Sequence, residues 1–245
     1  MSKKMLPWLF VWTLFLLMSA TQVLAKAAQP AGQVIAAGAG VKAKATNGVV
    51  RPLKRRSKVY QGDTIITGRS SAQIRFSDGA LTALRPGTKF KIVTFRWPGK
   101  QDGSEKGIFS LIKGGLSAIS GAIGKKHRNN YQMRTPVATI GIRGTSYFLE
   151  YLNGILKGGV TEGRIYVWNG KGNALLRTGQ HFYVKSGKII ILKGKIKGVK
   201  PKPVFGEGGI VPSQSTGLEI PPSYSTDGGN RGGGGTTFGG GSLTH

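Results

Sequence analysis

Short runs of alternating apolar and polar residues, bounded by Gly, Asp or Pro, recur along the chain between residues 31 and 192. No apolar pattern with a 3.6-residue period is sustained there for three turns, so the alternation predicts strands. Gln73-Ile74-Arg75-Phe76 alternates, Ser77-Asp78-Gly79 supplies an Asp-Gly turn, and Ala80-Leu81-Thr82-Ala83-Leu84 follows, which together read as a β-hairpin. Further strands are expected over 89–95, 107–112, 147–151, 164–168, 180–185 and 188–192. One short helix, rich in small residues, is expected over 116–123, and 98–106 and 124–130 read as exposed loops. The predicted fold class is all-β: a single domain of many short strands, arranged as a sandwich, barrel or β-solenoid.

The two ends break this pattern. Met1-Ser2-Lys3-Lys4-Met5 precedes an apolar run over 6–18 that holds Trp8, Phe10, Trp12 and Phe15, and small residues lead to Val23-Leu24-Ala25. A positive segment, an apolar segment and a small-residue cleavage site in that order predict a signal peptide over 1–25. The rival reading, an uncleaved anchor, is disfavoured because Thr13, Ser19, Thr21 and Gln22 interrupt a run shorter than the roughly 20 residues a spanning helix needs. A flexible lead over 26–31 then precedes the β domain over 32–192, and a basic connector over 193–205 follows it. Residues 206–245 are rich in Gly and Pro and bury too little apolar surface to offset the entropy of ordering them, so a disordered tail is expected.

Composition changes the picture at one point, the charge. Of the 245 residues 36 are Lys or Arg and 9 are Asp or Glu, a formal net charge of +27, which points to an anionic partner. No Cys is present, so disulfides, thiolate metal sites and cysteine nucleophiles are excluded. With 3 His and so few carboxylates the expectation is no enzyme, no cofactor and no metal. An exported chain this basic meets envelope polymers first, so the expected location is periplasmic or secreted, in a Gram-negative-type bacterium. The expected partner is an unknown envelope protein or an anionic cell-wall or outer-membrane polymer, without specific nucleic-acid binding or a transmembrane span after cleavage.

Individual candidates are few. Asp63 and Asp78 stand beside glycines in turn contexts, where an Asp side chain bonds local backbone, so turn chemistry is preferred to a carboxylate pair. His127 and His181 lack neighbours at metal-ligand spacing, and the Gly38 and Gly121 clusters lack the surroundings of a phosphate loop. The basic run Arg51, Lys54, Arg55, Arg56 and Lys58 reads as a solvated loop between strands, with an anion-binding patch as the alternative. Arg143 lies between Gly141 and Gly144 in an otherwise apolar segment. The preferred reading is an internal clamp that fans its donors onto backbone carbonyls of adjoining strands, and the alternative is a partner contact.

That segment carries Thr135-Pro136-Val137-Ala138-Thr139-Ile140-Gly141-Ile142-Arg143-Gly144-Thr145. With Gly62-Asp63-Thr64 to Thr67-Gly68, Ser71 to Asp78-Gly79, Gly114-Gly115-Leu116, Glu162-Gly163-Arg164 and Leu176 to Gln180, it resembles the FecR family domain in the order of its landmarks, over roughly 32–185. The resemblance implies an extracytoplasmic all-β domain, best known in inner-membrane regulators that relay siderophore-receptor status to an iron-uptake sigma factor. Those regulators add a cytoplasmic sigma-binding domain, a transmembrane helix and a receptor-contacting domain, none of which is expected here. The likeness is therefore to stand-alone secreted FecR-domain proteins with a presumed binding role. A periplasmic accessory of a membrane signalling system is the alternative, and an enzyme acting on wall polymers the more distant one.

Overall fold

The computed structural model describes residues 29–126 and 128–192, which hold a 15-stranded sheet. Short strands come first: β1 (Gly32–Ala37), β2 (Lys42–Lys44), β3 (Val50–Pro52), β4 (Lys58–Val59), β5 (Thr64–Ile66), β6 (Ala72–Phe76), β7 (Leu81–Leu84) and β8 (Lys89–Arg96). Three later strands are long: β9 (Lys106–Ile119), β11 (Thr139–Leu152) and β12 (Ile155–Asn169). Between and after them lie β10 (Tyr131–Arg134), β13 (Gly172–Arg177), β14 (His181–Lys185) and β15 (Lys188–Leu192). The predicted hairpin forms as read: β6 and β7 pair from Arg75↔Leu81 to Ala72↔Leu84, and Gly79 takes the positive φ of 85° that the turn requires.

The long strands fold the sheet over on itself. The first half of β9 lies between β8 and β10, and its second half between β7 and β11. Residues Thr139 and Ile140 of β11 pair with β10, while its second half pairs with β9. β12 gives its first half to β14 and its second to β13. Each of the three turns its corner at a glycine of positive φ: Gly114 at 92°, Gly144 at 56° and Gly163 at 81°.

Two hydrogen-bonded paths result. One runs β4-β1-β6-β7 into the second halves of β9 and β11 and on through β12 to β14 and β15; the other runs β3-β2-β5-β8 into the first half of β9 and on through β10, β11 and β12 to β13. Their inner faces meet. Phe76 on β6 lies 5.0 Å from Phe109 on β9 and 5.4 Å from Phe95 on β8, ring centre to ring centre, and the buried side chains of both paths form one core. The fold is all-β, one sheet folded over on itself, and it does not close into a barrel: β4 and β15 each have a single strand neighbour.

Two sequence expectations are overturned. Residues 116–119, expected in a helix, end β9, and the helix α1 is Ala122–Lys126. Small residues here serve close strand approach rather than helix packing: a Cβ on Gly115 would lie 3.3 Å from the Leu149 carbonyl oxygen across the β9–β11 ladder. The expected loop over 124–130 instead holds the end of α1 and a 3-10 turn at Arg128–Asn130. No helix among the described residues is long and apolar enough to cross a membrane. The expected signal peptide, the basic connector, the tail and His127 lie outside the described residues.

Candidate interaction surface

Asp63 follows Gly62 in the turn into β5, where Gly62 takes a φ of 89°. The Asp63 carboxylate is buried, and it does more than bond its turn. Arg51 on β3 grips it with both terminal nitrogens, Nη1 donating to Oδ1 at 3.0 Å and Nη2 to Oδ2, while the Tyr60 amide donates to Oδ2 at 2.8 Å. Arg51 Nη2 also donates to the Lys58 carbonyl at 3.2 Å, and its guanidinium lies over the Tyr60 ring, 5.5 Å from the centre. The hydrogen bond to Asp63 and its charge push the Arg51 pKa up against the opposing pull of burial.

Asp78 turns the β6–β7 hairpin by accepting from the Ala80 amide at 3.1 Å, as expected. It also accepts from the Ile123 amide at 3.3 Å, and its backbone carbonyl accepts from Ala122 N at 2.9 Å, so it secures the start of α1 from a distant hairpin. Burial raises its carboxyl pKa, and these amides oppose that rise. Thr67, fully buried, donates through Oγ1 to the Arg85 carbonyl at 2.8 Å and accepts from the Thr88 amide at 2.9 Å.

The signature segment opens with a tight turn. Thr135 Oγ1 donates to the Ala138 carbonyl at 2.8 Å and accepts from the Ala138 amide at 3.1 Å, which leaves exposed Pro136 at the tip and reverses the chain from β10 into β11. Along β11, Ile140 and Ile142 are buried and Arg143 is exposed. The internal-clamp reading of Arg143 is therefore overturned. Strand alternation decides it: with Ile142 in the core, the next side chain points outward. The clamp is Thr145. Its Oγ1 donates to the Arg164 carbonyl at 2.7 Å and accepts from the Arg143 amide at 3.2 Å, and its own amide donates to Ser120 Oγ at 2.9 Å. Gly144 and Gly163 meet at this corner, where a Cβ on Gly163 would lie 2.1 Å from the Gly144 carbonyl oxygen.

These landmarks lie in a segment that matches a known family: residues 63–166 match the model described as FecR protein. That segment is FecR-like. The β fold extends beyond the matched residues at both ends, from Gly32 to Leu192. Two crystal structures of a candidate anti-sigma factor from Parabacteroides distasonis ATCC 8503 are similar at 16% identity, with TM-scores of 0.41 and 0.40, covering 52% of this chain and 57% of theirs. The chain thus spans little more than half the length of these neighbours. No curated protein matches it.

The basic run over 51–58 precedes the matched segment and divides in two. Arg51 is spent on Asp63, whereas Lys54, Arg55 and Arg56 are exposed between β3 and β4, as a solvated loop would be, and Lys58 is exposed at the start of β4. Reading the sequence missed a different surface, on the outer side of β10, β11, β12 and β13. Register places Arg143, Arg164 and Arg177 side by side on three adjacent strands, Gly141, Tyr166 and Leu175 in the next row, and Thr139, Trp168 and Asn173 in the row beyond, with Arg134 beside Thr139. The intervening Ile140, Ile142, Ile165, Val167 and Leu176 are buried, so these rows share the outward face. Only the pairing register, which no linear motif displays, unites them.

Proposed function

We propose that this chain is an exported binding or scaffolding module that holds an envelope partner through its FecR domain. The observation that carries the reading is how the charges are used. Asp63 is held by Arg51, Asp78 by amides of two elements, Asp102 by Ser104 and Glu150 by Arg85, while Glu105 is buried and accepts from the Gly103 amide. Among the described residues, Glu162 is the exposed carboxylate outside these bonds. Lysines and arginines among the described residues are meanwhile largely without ion pairs. Carboxylates tied to structure and unneutralised cations favour recognition of an anionic partner over acid–base catalysis.

Export rests on the order of charged, apolar and small residues over 1–25. The expected result is an exported protein whose intact mass corresponds to cleavage after Ala25; a membrane-bound species retaining Trp8 and Trp12 overturns it. A second reading, a periplasmic accessory to a membrane sensor, is favoured by the FecR match itself. Cross-linked pull-down of the full chain from envelope extracts separates the two. Peptidoglycan or lipopolysaccharide in the eluate supports direct polymer binding, a membrane sensor supports the accessory role, and recovery of neither overturns both.

A further inference from the structure

We propose that the outer face of β11, β12 and β13 is a binding site for an anionic polysaccharide, with Arg143, Arg164 and Arg177 taking its acidic groups and Tyr166 and Trp168 carrying its sugar rings. This deepens the envelope-binding reading and rests on it for the choice of a glycan over other polyanions.

The arginine row is the first argument. Arg143 pairs with Arg164 and Arg164 with Arg177, so three like charges sit directly opposite one another on neighbouring strands, an arrangement that weakens a sheet. All three are exposed, and among the described residues none makes an ion pair. Glu162, the nearest carboxylate along the chain, lies past the Gly163 corner opposite Ser146. The fold gains nothing from this repulsion, but a ligand with regularly spaced anionic groups relieves it. Adjacent strands lie about 4.8 Å apart, so the row offers planar, bidentate donors at roughly that interval.

The aromatic pair is the second. Tyr166 is 43% exposed, the Leu175 beside it is 49% exposed, and the Tyr166 and Trp168 rings lie 5.5 Å apart with a 31° tilt. Gly141 forms the floor: a Cβ there would come within 3.2 Å of the Trp168 ring. The glycine of the signature segment thus lets the indole settle across β11 and broaden the platform. Its weakly positive-edged partners are the C–H faces of a pyranose, which stack on the negative face of an aromatic ring. Arg134, held by the Gln132 side-chain oxygen at 3.0 Å, supplies a cation at the far margin of the platform.

The test uses the full mature chain at physiological ionic strength, titrated calorimetrically with polygalacturonate as the charged glycan. Neutral dextran, poly-L-glutamate and oligo-dT serve as comparisons, and thermal melting checks each variant. The expected result is binding to polygalacturonate that exceeds binding to the other three. Tyr166→Ala should weaken it about tenfold, as the loss of one ring contact does at 1.4 kcal/mol per decade. The triple variant Arg143→Gln, Arg164→Gln, Arg177→Gln should weaken it at least as much and flatten its salt dependence. Lys54→Gln, Arg55→Gln, Arg56→Gln should leave it within about twofold, a change of under 0.5 kcal/mol. Because Trp168 packs on Gly141, Trp168→Ala is read only beside the exposed arginine variants. Equal affinity for poly-L-glutamate, tighter binding of oligo-dT, indifference to the face variants, or no binding of polygalacturonate overturns the site. If the pull-down nevertheless captures an envelope partner, the broader reading stands and only this site fails.

Discussion

The phenol oxygens of Tyr131 and Tyr147 meet at 2.7 Å inside the core. Tyr131 belongs to β10 in one path of the folded sheet and Tyr147 to the second half of β11 in the other, so the bond joins the two layers. Burial raises both phenol pKa values. Unfolding exposes them, and above pH of about 10 the unfolded chain releases protons that the folded chain keeps. The contribution of the pair is therefore complete below that pH and lost as pH rises further. An ultraviolet titration should show these two tyrosines ionising only together with loss of the β-sheet signal. In Tyr131→Phe/Tyr147→Phe the alkaline unfolding limb should move to higher pH.

Either tyrosine alone is a different experiment. Tyr147→Phe leaves the buried Tyr131 hydroxyl without its partner, at a cost of about 1–3 kcal/mol. The double variant removes both polar groups and should cost less than the sum of the singles. Urea unfolding of the four proteins gives the coupling, and strict additivity would mean that the hydroxyls do not depend on one another.

Arg51→Ala strips the buried Asp63 carboxylate of its only ion-pair partner among the described residues. Arg51 is itself part exposed, so water replaces some of what is lost, and the expected destabilisation is about 1.5–3 kcal/mol. Arg51→Lys should recover a minority of it, since one ammonium cannot span both carboxylate oxygens while bonding the Lys58 carbonyl. A melting point for Arg51→Ala equal to that of the parent would show that the pair is solvated.

The local features of this fold were legible in sequence and the bent ones were not. Asp78-Gly79 announces its hairpin because the three-residue loop Ser77-Asp78-Gly79 needs φ > 0 at its last residue, within a few positions of both strands. Gly114, Gly144 and Gly163 instead fall outside the strands expected over 107–112, 147–151 and 164–168, although they are corners within single long strands. A glycine looks the same in both roles; what distinguishes them is the neighbour waiting on the far side. Arg143 was misjudged because its flanking glycines suggested close packing, whereas the parity of Ile140 and Ile142 already placed it outside. Asp78 holding α1, and the arginine row, depend on pairings between distant segments that no window contains.

A corner glycine can be told from a turn glycine, such as Gly154 between β11 and β12, by its surroundings. Gly154→Ala, at a φ of 77° with nothing within 4 Å of the new Cβ, should cost about 1–2 kcal/mol, the left-handed penalty alone. Gly163→Ala adds a collision with the Gly144 carbonyl oxygen, a backbone atom that cannot swing aside. It should destabilise by at least about 2 kcal/mol more or prevent folding. Equal melting points for the two variants would show that the corner yields without cost.

Thr145 and Arg143 provide the sharpest contrast, because both belong to the same signature and only one is built into the fold. Thr145→Val keeps the shape of the side chain but removes the hydroxyl that donates to the Arg164 carbonyl and accepts from the Arg143 amide. Two backbone groups lose a partner at a buried corner, and the expected cost is about 1–3 kcal/mol. Arg143→Ala and Arg143→Lys replace an exposed side chain that faces the like charge of Arg164, so both should unfold within about 0.5 kcal/mol of the parent or slightly above it. Denaturant midpoints of the three variants measure the difference directly. Should Arg143→Ala prove as damaging as Thr145→Val, the guanidinium is holding structure, and the outward face loses one of its three arginines.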